Sequence, residues 1–378
     1  MRRRAPLAIP WASLLLASCI AGCAAAPLAT SSGTPAPTAD IKRGKLDISY
    51  TFLLATDVHR VSSKTALLAG LDAVRAEVKR TNGVDGVAAP ELRDVNEPVL
   101  EDFGKFASAV AELAARNPQL AADTIADAAI AGMFAASPDC HTYYVDKSGG
   151  VHQSRACTVV GSRAQPPASI ASVVPRDETG LVAMVLPDGI GYVTFGEFLH
   201  SGTYDTATAV RRALDALLAA GAKAWLFDLR GNVGGDPPVK MTSWFLNGQP
   251  LLRAERRAGG ADTTNAVADL RLPDAYQLPV AIILNDRGGS SPEVFALGLH
   301  ENGRATIVGQ RSAGCLGATA SAPLSDGSEL YVVEIEHTGA ITGSRYNGVG
   351  IPPDVVASDG TAVAVASALL RDQIAAHR

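Results

Sequence analysis

The second half of the chain alternates short apolar runs with amphipathic stretches, and two of the runs end in loops rich in glycine and serine. Gly191–Phe195 reads as a strand, and Thr206–Ala220 as an amphipathic helix with Gly221 as a left-handed cap. Ala224–Leu229 is an apolar run expected to be a buried strand, followed by a glycine-rich loop over Arg230–Asp236. Val280–Leu284 repeats the pattern, with a loop over Asp286–Ser291 and a helix over Pro292–Asn302 that Gly303 stops. Ala305–Val308 and Leu330–Glu336 add strands, and Thr361–Ala376 a closing helix. Alternation of this kind predicts an α/β layered core. No internal repeat is present.

The first half differs. Apolar residues recur at spacings of three and four over Lys64–Lys79, Pro98–Arg116 and Leu120–Ala136, and Asn117-Pro118 and Ser137-Pro138 end two of these stretches. With 378 residues the chain has room for two folded units. The expected division is a small helical N-terminal domain over 46–137, a connecting segment over 138–188 and the layered core over 189–378.

Ahead of these lie an export leader and a tether. Arg2–Arg4 form a basic start, Ala5–Ile20 is almost wholly apolar, and Ile20-Ala21-Gly22-Cys23 reads as a lipobox. The apolar stretch is too short for a membrane span. Residues 1–22 are thus expected to be removed and Cys23 lipidated, with 23–45 as a flexible tether rich in Ala, Pro, Ser and Thr. Leu16–Cys19 offers a second box, and cleavage near Ala24–Ala26 would give an ordinary secreted protein. The expected location is periplasmic or at the cell surface, held to a membrane by the lipid. A formal charge of −5 gives the body no reason to bind nucleic acid. No Cys-x-x-Cys or His-x-x-x-His spacing occurs, so no metal site is expected. In an exported protein Cys140 could pair with Cys157, leaving Cys315 alone.

Three segments carry chemistry. Ser290 follows an apolar strand and opens a helix, where free backbone N–H groups can hold a negative charge. That suits a nucleophile, since attack on a carbonyl creates an oxyanion. Ser290-x-x-Glu293 is equally a capping box, with Pro292 in a first-turn position. Gly234 and Gly235, after the earlier buried strand, let backbone N–H groups approach a ligand closely. Together with the N–H of Ser291 they form a candidate oxyanion hole. His141 offers an imidazole, the usual base for a serine hydroxyl, but the chain has six other histidines.

In combination these segments resemble the tail-specific (C-terminal processing) and tricorn-core serine peptidases. The matching stretches are DCHTYY at 139–144, GIGYVTFGEF at 189–198, FDLRGNVGG at 227–235, LNDRGGSSPEVFALGLHENGRATIVGQRSAG at 284–314, LSDGSELYV at 324–332 and GVGIPPD at 348–354. The resemblance implies a crotonase-like (ClpP/crotonase) core, hydrolysis of peptide bonds and no cofactor. It implies Ser290 as the nucleophile. The processing branch has a lysine base 25 positions after its serine, where this chain has Cys315. The tricorn-type branch instead uses a histidine in a segment like DCHTYY, which implies His141 as base. It has a glutamate where this chain has Asn347, implying that Asn347 steers the imidazole by a hydrogen bond without charge, as in Cys-His-Asn proteases. Cys140 stands in a serine position of that branch. A PDZ module is not expected, because about 47 residues separate His141 from Gly189.

The expected function is an exported serine peptidase acting on peptide or protein substrates. Other readings are a peptide-binding lipoprotein that kept the fold but lost turnover, an esterase with the same residues, and, less favoured, a cysteine hydrolase using Cys140 or Cys315.

Overall fold

A computed structural model describes residues 43–153, 164–167 and 170–376. The leader, Cys23, residues 24–40 of the tether and Cys157 lie outside the described residues. Four helices come first: α1 (Arg43–Thr56), α2 (Ser63–Arg80), α3 (Leu100–Arg116) and α4 (Ala122–Ala135). Ser62 caps α2 by accepting the Thr65 N–H (3.2 Å). The buried positions of α2, among them Leu67, Leu71, Val74 and Val78, recur at helical spacing. The helices share one core with Tyr144, Leu330 and Val332 of the strands described next.

Those strands form a largely antiparallel sheet: β1 (Tyr143–Val145) and β2 (Val151–Gln153) come directly after the helices. The polar segment after His141 therefore begins with a hairpin, where only a loop was expected. Two strands, β3 (Val182–Leu186) and β4 (Ile190–Thr194), then open a second sheet, and α5 (Thr206–Ala219) leads to β5 (Ala224–Asp228). After the short helix α6 (Val239–Ser243) come β6 (Pro250–Arg256) and β7 (Ala261–Asn265), which belong to the first sheet. Next are β8 (Val280–Leu284), α7 (Ser291–Glu301) and β9 (Ala305–Gly309). The chain then adds β10 (Gly317–Pro323) and β11 (Glu329–Thr338), and ends with β12 (Val355–Val356) and α8 (Ala362–Ala376).

The second sheet runs β12-β9-β8-β5-β4-β3, parallel except for β3 at its edge. Its inner strands β4, β5 and β8 are wholly buried and mostly apolar, because both faces are covered. On β5 and β8, Trp225, Phe227, Val280, Ile282 and Leu284 face the core shared with α5 and α7. Ala224, Leu226, Ala281 and Ile283 face the one shared with α8. The protein is thus mixed α/β.

This layering sets the site. β5 and β8 are parallel neighbours, so the loops leaving their carboxyl ends lie side by side, where ligands bind in open α/β sheets. They are laced together: Leu229 N–H donates to Ile283 O (3.0 Å) and Gly289 N–H to Asn232 O (3.1 Å). On the first sheet, β1 pairs with β11, and Thr142 Oγ1 accepts the Val333 N–H (3.1 Å). Lys45 pins the far side of β1, bonding Asp127 (2.7 Å), the Tyr144 hydroxyl (2.6 Å) and Asp326 (2.9 Å). Among the described residues no helix is long and apolar enough to cross a membrane.

Candidate active site

Ser290 sits between β8 and α7 with φ +73° and ψ −122°. Few non-glycine residues adopt a positive φ, and strain of this kind persists only where the surroundings enforce it. A sharp strand-to-helix turn also pushes a side chain out at the helix mouth. Glu293 enforces the turn. Its fully buried carboxylate accepts the Ser290 N–H (2.8 Å), the Gly314 N–H (2.7 Å), the Cys315 N–H (2.8 Å) and the Ser312 hydroxyl. Burial pushes the Glu293 carboxyl up, and these bonds pull against it. Glu293 thus forms its half of the capping box. The Glu293 N–H donates to the Ser290 carbonyl (2.9 Å).

The loop after β5 packs directly on this turn. Arg230 grips Asp228 with two bonds (2.8 and 2.7 Å), fixing the base of the loop. Gly234 has φ +94°, and a Cβ there would stand 2.6 Å from Ser290 Cβ and 3.0 Å from its Oγ. Only glycine fits. The Gly234 N–H is already spent on Asn232 Oδ1 (3.0 Å). Among the described residues, neither the Gly235 N–H nor the Ser291 N–H meets an acceptor. Ser291 holds the two strands of backbone together, its hydroxyl donating to Gly235 O (2.8 Å) and Asp236 O (2.9 Å).

His141 stands on a turn just before β1. The same turn folds Asp139 back onto it: Asp139 Oδ1 accepts the His141 N–H (2.6 Å), as an Asx turn does. His141 Nδ1 lies 3.3 Å from that oxygen, at ion-pair distance but off the hydrogen-bond direction, with no other partner among the described residues. Asp139 is wholly buried. Burial raises its pKa, but the neighbouring His141 and His59 imidazoles and the His141 N–H outweigh it, holding the carboxyl well below the usual range. Its other oxygen receives the Asn347 amide and lies 3.3 Å from His59 Nε2. His337 is nearby, pulled down to about 4 by burial and then by the His141 charge.

Two expectations change here. Asn347 reaches the site through Asp139 and His59 (3.1 Å) rather than through His141, its carbonyl taken by the Leu316 N–H (2.8 Å). The residue beside the imidazole is Asp139, which sequence reasoning passed over. Residues i and i+2 do not normally converge, and only the Asx turn signalled by Asp-x-His brings them together. His59, in the turn that follows α1, gave no sequence signal.

Cys140 pairs with Cys315, not with Cys157 (Cα–Cα 5.5 Å). Both are buried, and a bridged sulfur is no thiolate nucleophile, which removes the cysteine-hydrolase reading for the oxidised protein. Cys315 also lies against the Ser290 turn, since a Cβ on Gly289 would stand 3.0 Å from its Cβ and Sγ. A continuous path of contact therefore runs from Ser290 through Gly289, Cys315 and Cys140 to His141.

The family model for peptidase family S41 matches residues 189–357. This segment is a peptidase family S41 domain. It contains Ser290, Gly234, Gly235, Ser291, Cys315 and Asn347, while the Asp139–His141 turn precedes it. The chain is 27% identical over 155 residues to carboxy-terminal processing protease CtpA of Bacillus subtilis (strain 168), covering 40% of this chain and 32% of that protein. It is 31% identical over 168 residues to carboxyl-terminal-processing peptidase 1, chloroplastic, of Arabidopsis thaliana, covering 44% and 33%. The matches thus span about a third of the length of these curated relatives. Among solved structures, a candidate peptidase from Parabacteroides merdae ATCC 43184 superposes with a TM-score of 0.51 at 19% identity, over 65% of this chain and 82% of that one. That likeness concerns the fold.

Proposed function

We propose that the chain is an exported serine peptidase that cleaves peptide bonds through an acyl-enzyme on Ser290. His141 takes the Ser290 proton as the hydroxyl attacks the carbonyl carbon, then gives it to the leaving amine. Water, deprotonated by the same imidazole, releases the acyl group. With Nδ1 turned toward Asp139, Nε2 is the nitrogen left to serve the hydroxyl. Asp139 stays ionised and balances the imidazolium. Asn347 and His59 hold Asp139. The Gly235 and Ser291 N–H groups receive the oxyanion, and Gly234 contributes by letting the loop come close.

The observation that carries this reading is the positive-φ Ser290 pressed against Gly234 at a helix mouth, beside two unspent N–H groups. A cavity of about 270 Å³ opens next to the same loop, lined by Phe198, Ala207, Asp236 and Met241, and gives a substrate side chain a place to lie. We read the fold as the crotonase-like layered core, preceded by the helical segment 46–137, and Cys23 as the lipid attachment point behind a tether.

The test is Ser290→Ala. The variant should keep its circular dichroism spectrum and lose both hydrolysis of fluorescein-casein and labelling by a fluorophosphonate. A folded Ser290→Ala protein that still cleaves overturns the assignment. Wild-type protein that forms no adduct points instead to a peptide-binding relative without turnover.

A further inference from the structure

The proposed base and nucleophile belong to different parts of the molecule. His141 leads into β1 of the first sheet, and its neighbours Asp139 and Thr142 are anchored to Asn347 and β11. Ser290 leaves β8 of the second sheet, and Glu293 binds its turn to the 312–315 loop. Beside the main chain, which runs from Cys315 into β10, the Cys140–Cys315 bridge is a covalent cross-link between these two assemblies, attached one residue before His141 and seated against Gly289, one residue before Ser290. A hydrogen-bonded tie, from Asn347 to Asp139, grips the carboxylate rather than the imidazole itself.

We propose that the Cys140–Cys315 disulfide positions His141 against the Ser290 turn, so that acylation needs the oxidised protein. The inference rests on the Ser290–His141 reading above. Cys315 is then a positioning residue, acting through His141. The two sides differ in what holds them when the bridge opens: Glu293 keeps the Ser290 turn in place, while on the Cys140 side the Gln153 amide, Asn347 and β11 hold the turn to the first sheet, so what is lost is its covalent link across to Gly289. Reduction should therefore displace the base and spare the serine turn and the cleft beside Gly235. Both sulfurs are buried, so reduction requires local opening. A dithiol supplies the electrons. Its first thiolate attacks one sulfur, breaking the S–S bond and releasing the other cysteine. Its second thiolate then displaces the first cysteine, leaving a cyclic disulfide and two protonated cysteines.

The experiment uses the full chain and measures kinact and KI for a fluorophosphonate in three states: oxidised, reduced with dithiothreitol, and reoxidised. Cys140→Ser/Cys315→Ser is run in parallel, with circular dichroism on every sample. The expected result is a fall in kinact of about 10²-fold on reduction, as a misplaced catalytic group gives, with KI and the spectrum unchanged and full recovery on reoxidation. The double variant should match the reduced protein. Equal kinact in oxidised and reduced protein overturns the clamp and leaves the Ser290 reading standing. A loss of kinact that tracks loss of the spectrum, in both the reduced protein and the variant, also overturns it, because the bridge would then be a general brace. An oxidised protein that never labels overturns the site reading and the clamp with it.

Discussion

Asp139→Asn is the most informative single change at this site. Oδ1 of Asp139 takes the His141 N–H at 2.6 Å and stands 3.3 Å from His141 Nδ1. Oδ2 takes the Asn347 amide and stands 3.3 Å from His59 Nε2. An asparagine keeps one oxygen and presents an NH₂ at the other place, so one set of donors meets a donor. Leaving a buried donor unsatisfied costs about 1–3 kcal/mol, which sets the expected loss of stability. The kinetic effect should be larger, because the imidazolium formed during acylation loses its counter-charge. Replacing the acid of a Ser-His-Asp triad by its amide lowers turnover by about 10⁴. Here the Nδ1 contact is not fully aligned, so a fall of about 10²–10⁴ is expected. The assay is fluorophosphonate kinact alongside a thermal melt. A folded Asp139→Asn protein that labels at the wild-type rate would refute the role given to this carboxylate.

Two further changes follow from the same geometry. Gly234→Ala places a Cβ 2.6 Å from Ser290 Cβ at φ +94° and should cut labelling by about 10²-fold or more. Gly360→Ala, with nothing within 4 Å of its Cβ, should leave it unchanged. If Gly234→Ala labels normally, the loop does not abut Ser290 as described. His337 should shape the acid side of the stability profile: unfolded, it takes a proton near its ordinary pKa of about 6.5, but folded only at about 4. Between those values the unfolded chain binds more protons, so stability falls as pH drops through that window. Urea unfolding at pH 7 and pH 5 should show a smaller loss for His337→Gln than for wild type, and an equal loss would contradict the half-buried, neutral imidazole.

The layered core was readable because its strands are continuous apolar runs. Val280–Leu284 was expected and found with the same ends, and the helices around it are shifted by only one or two residues. Apart from β3, an apolar run over Val182–Leu186 that was not singled out, several of the strands missed lack such a signal. β7 is exposed along its whole length, and β10 reads Gly-Ala-Thr-Ala-Ser-Ala-Pro, so neither shows a buried face in sequence. β1 and β2 are three residues each and exist through pairing with one another and with β11. At the site, the strand-to-helix turn at Ser290 and the glycine loop were legible as local patterns, while the choice of Ser290 over a capping role came from the family resemblance. The Asp139 carboxylate depended on one turn folding back on itself. The Cys140–Cys315 bridge depended on two sheets meeting, which no spacing between cysteines records.

The most direct measurement of the central claim is a crystal structure of the fluorophosphonate-treated protein. The account predicts phosphorus bonded to Ser290 Oγ, a phosphoryl oxygen within about 3.1 Å of the Gly235 and Ser291 nitrogens, and His141 Nε2 beside the adduct. Phosphorus on another residue, or on Ser290 with that oxygen turned to solvent and His141 far from it, would contradict the account.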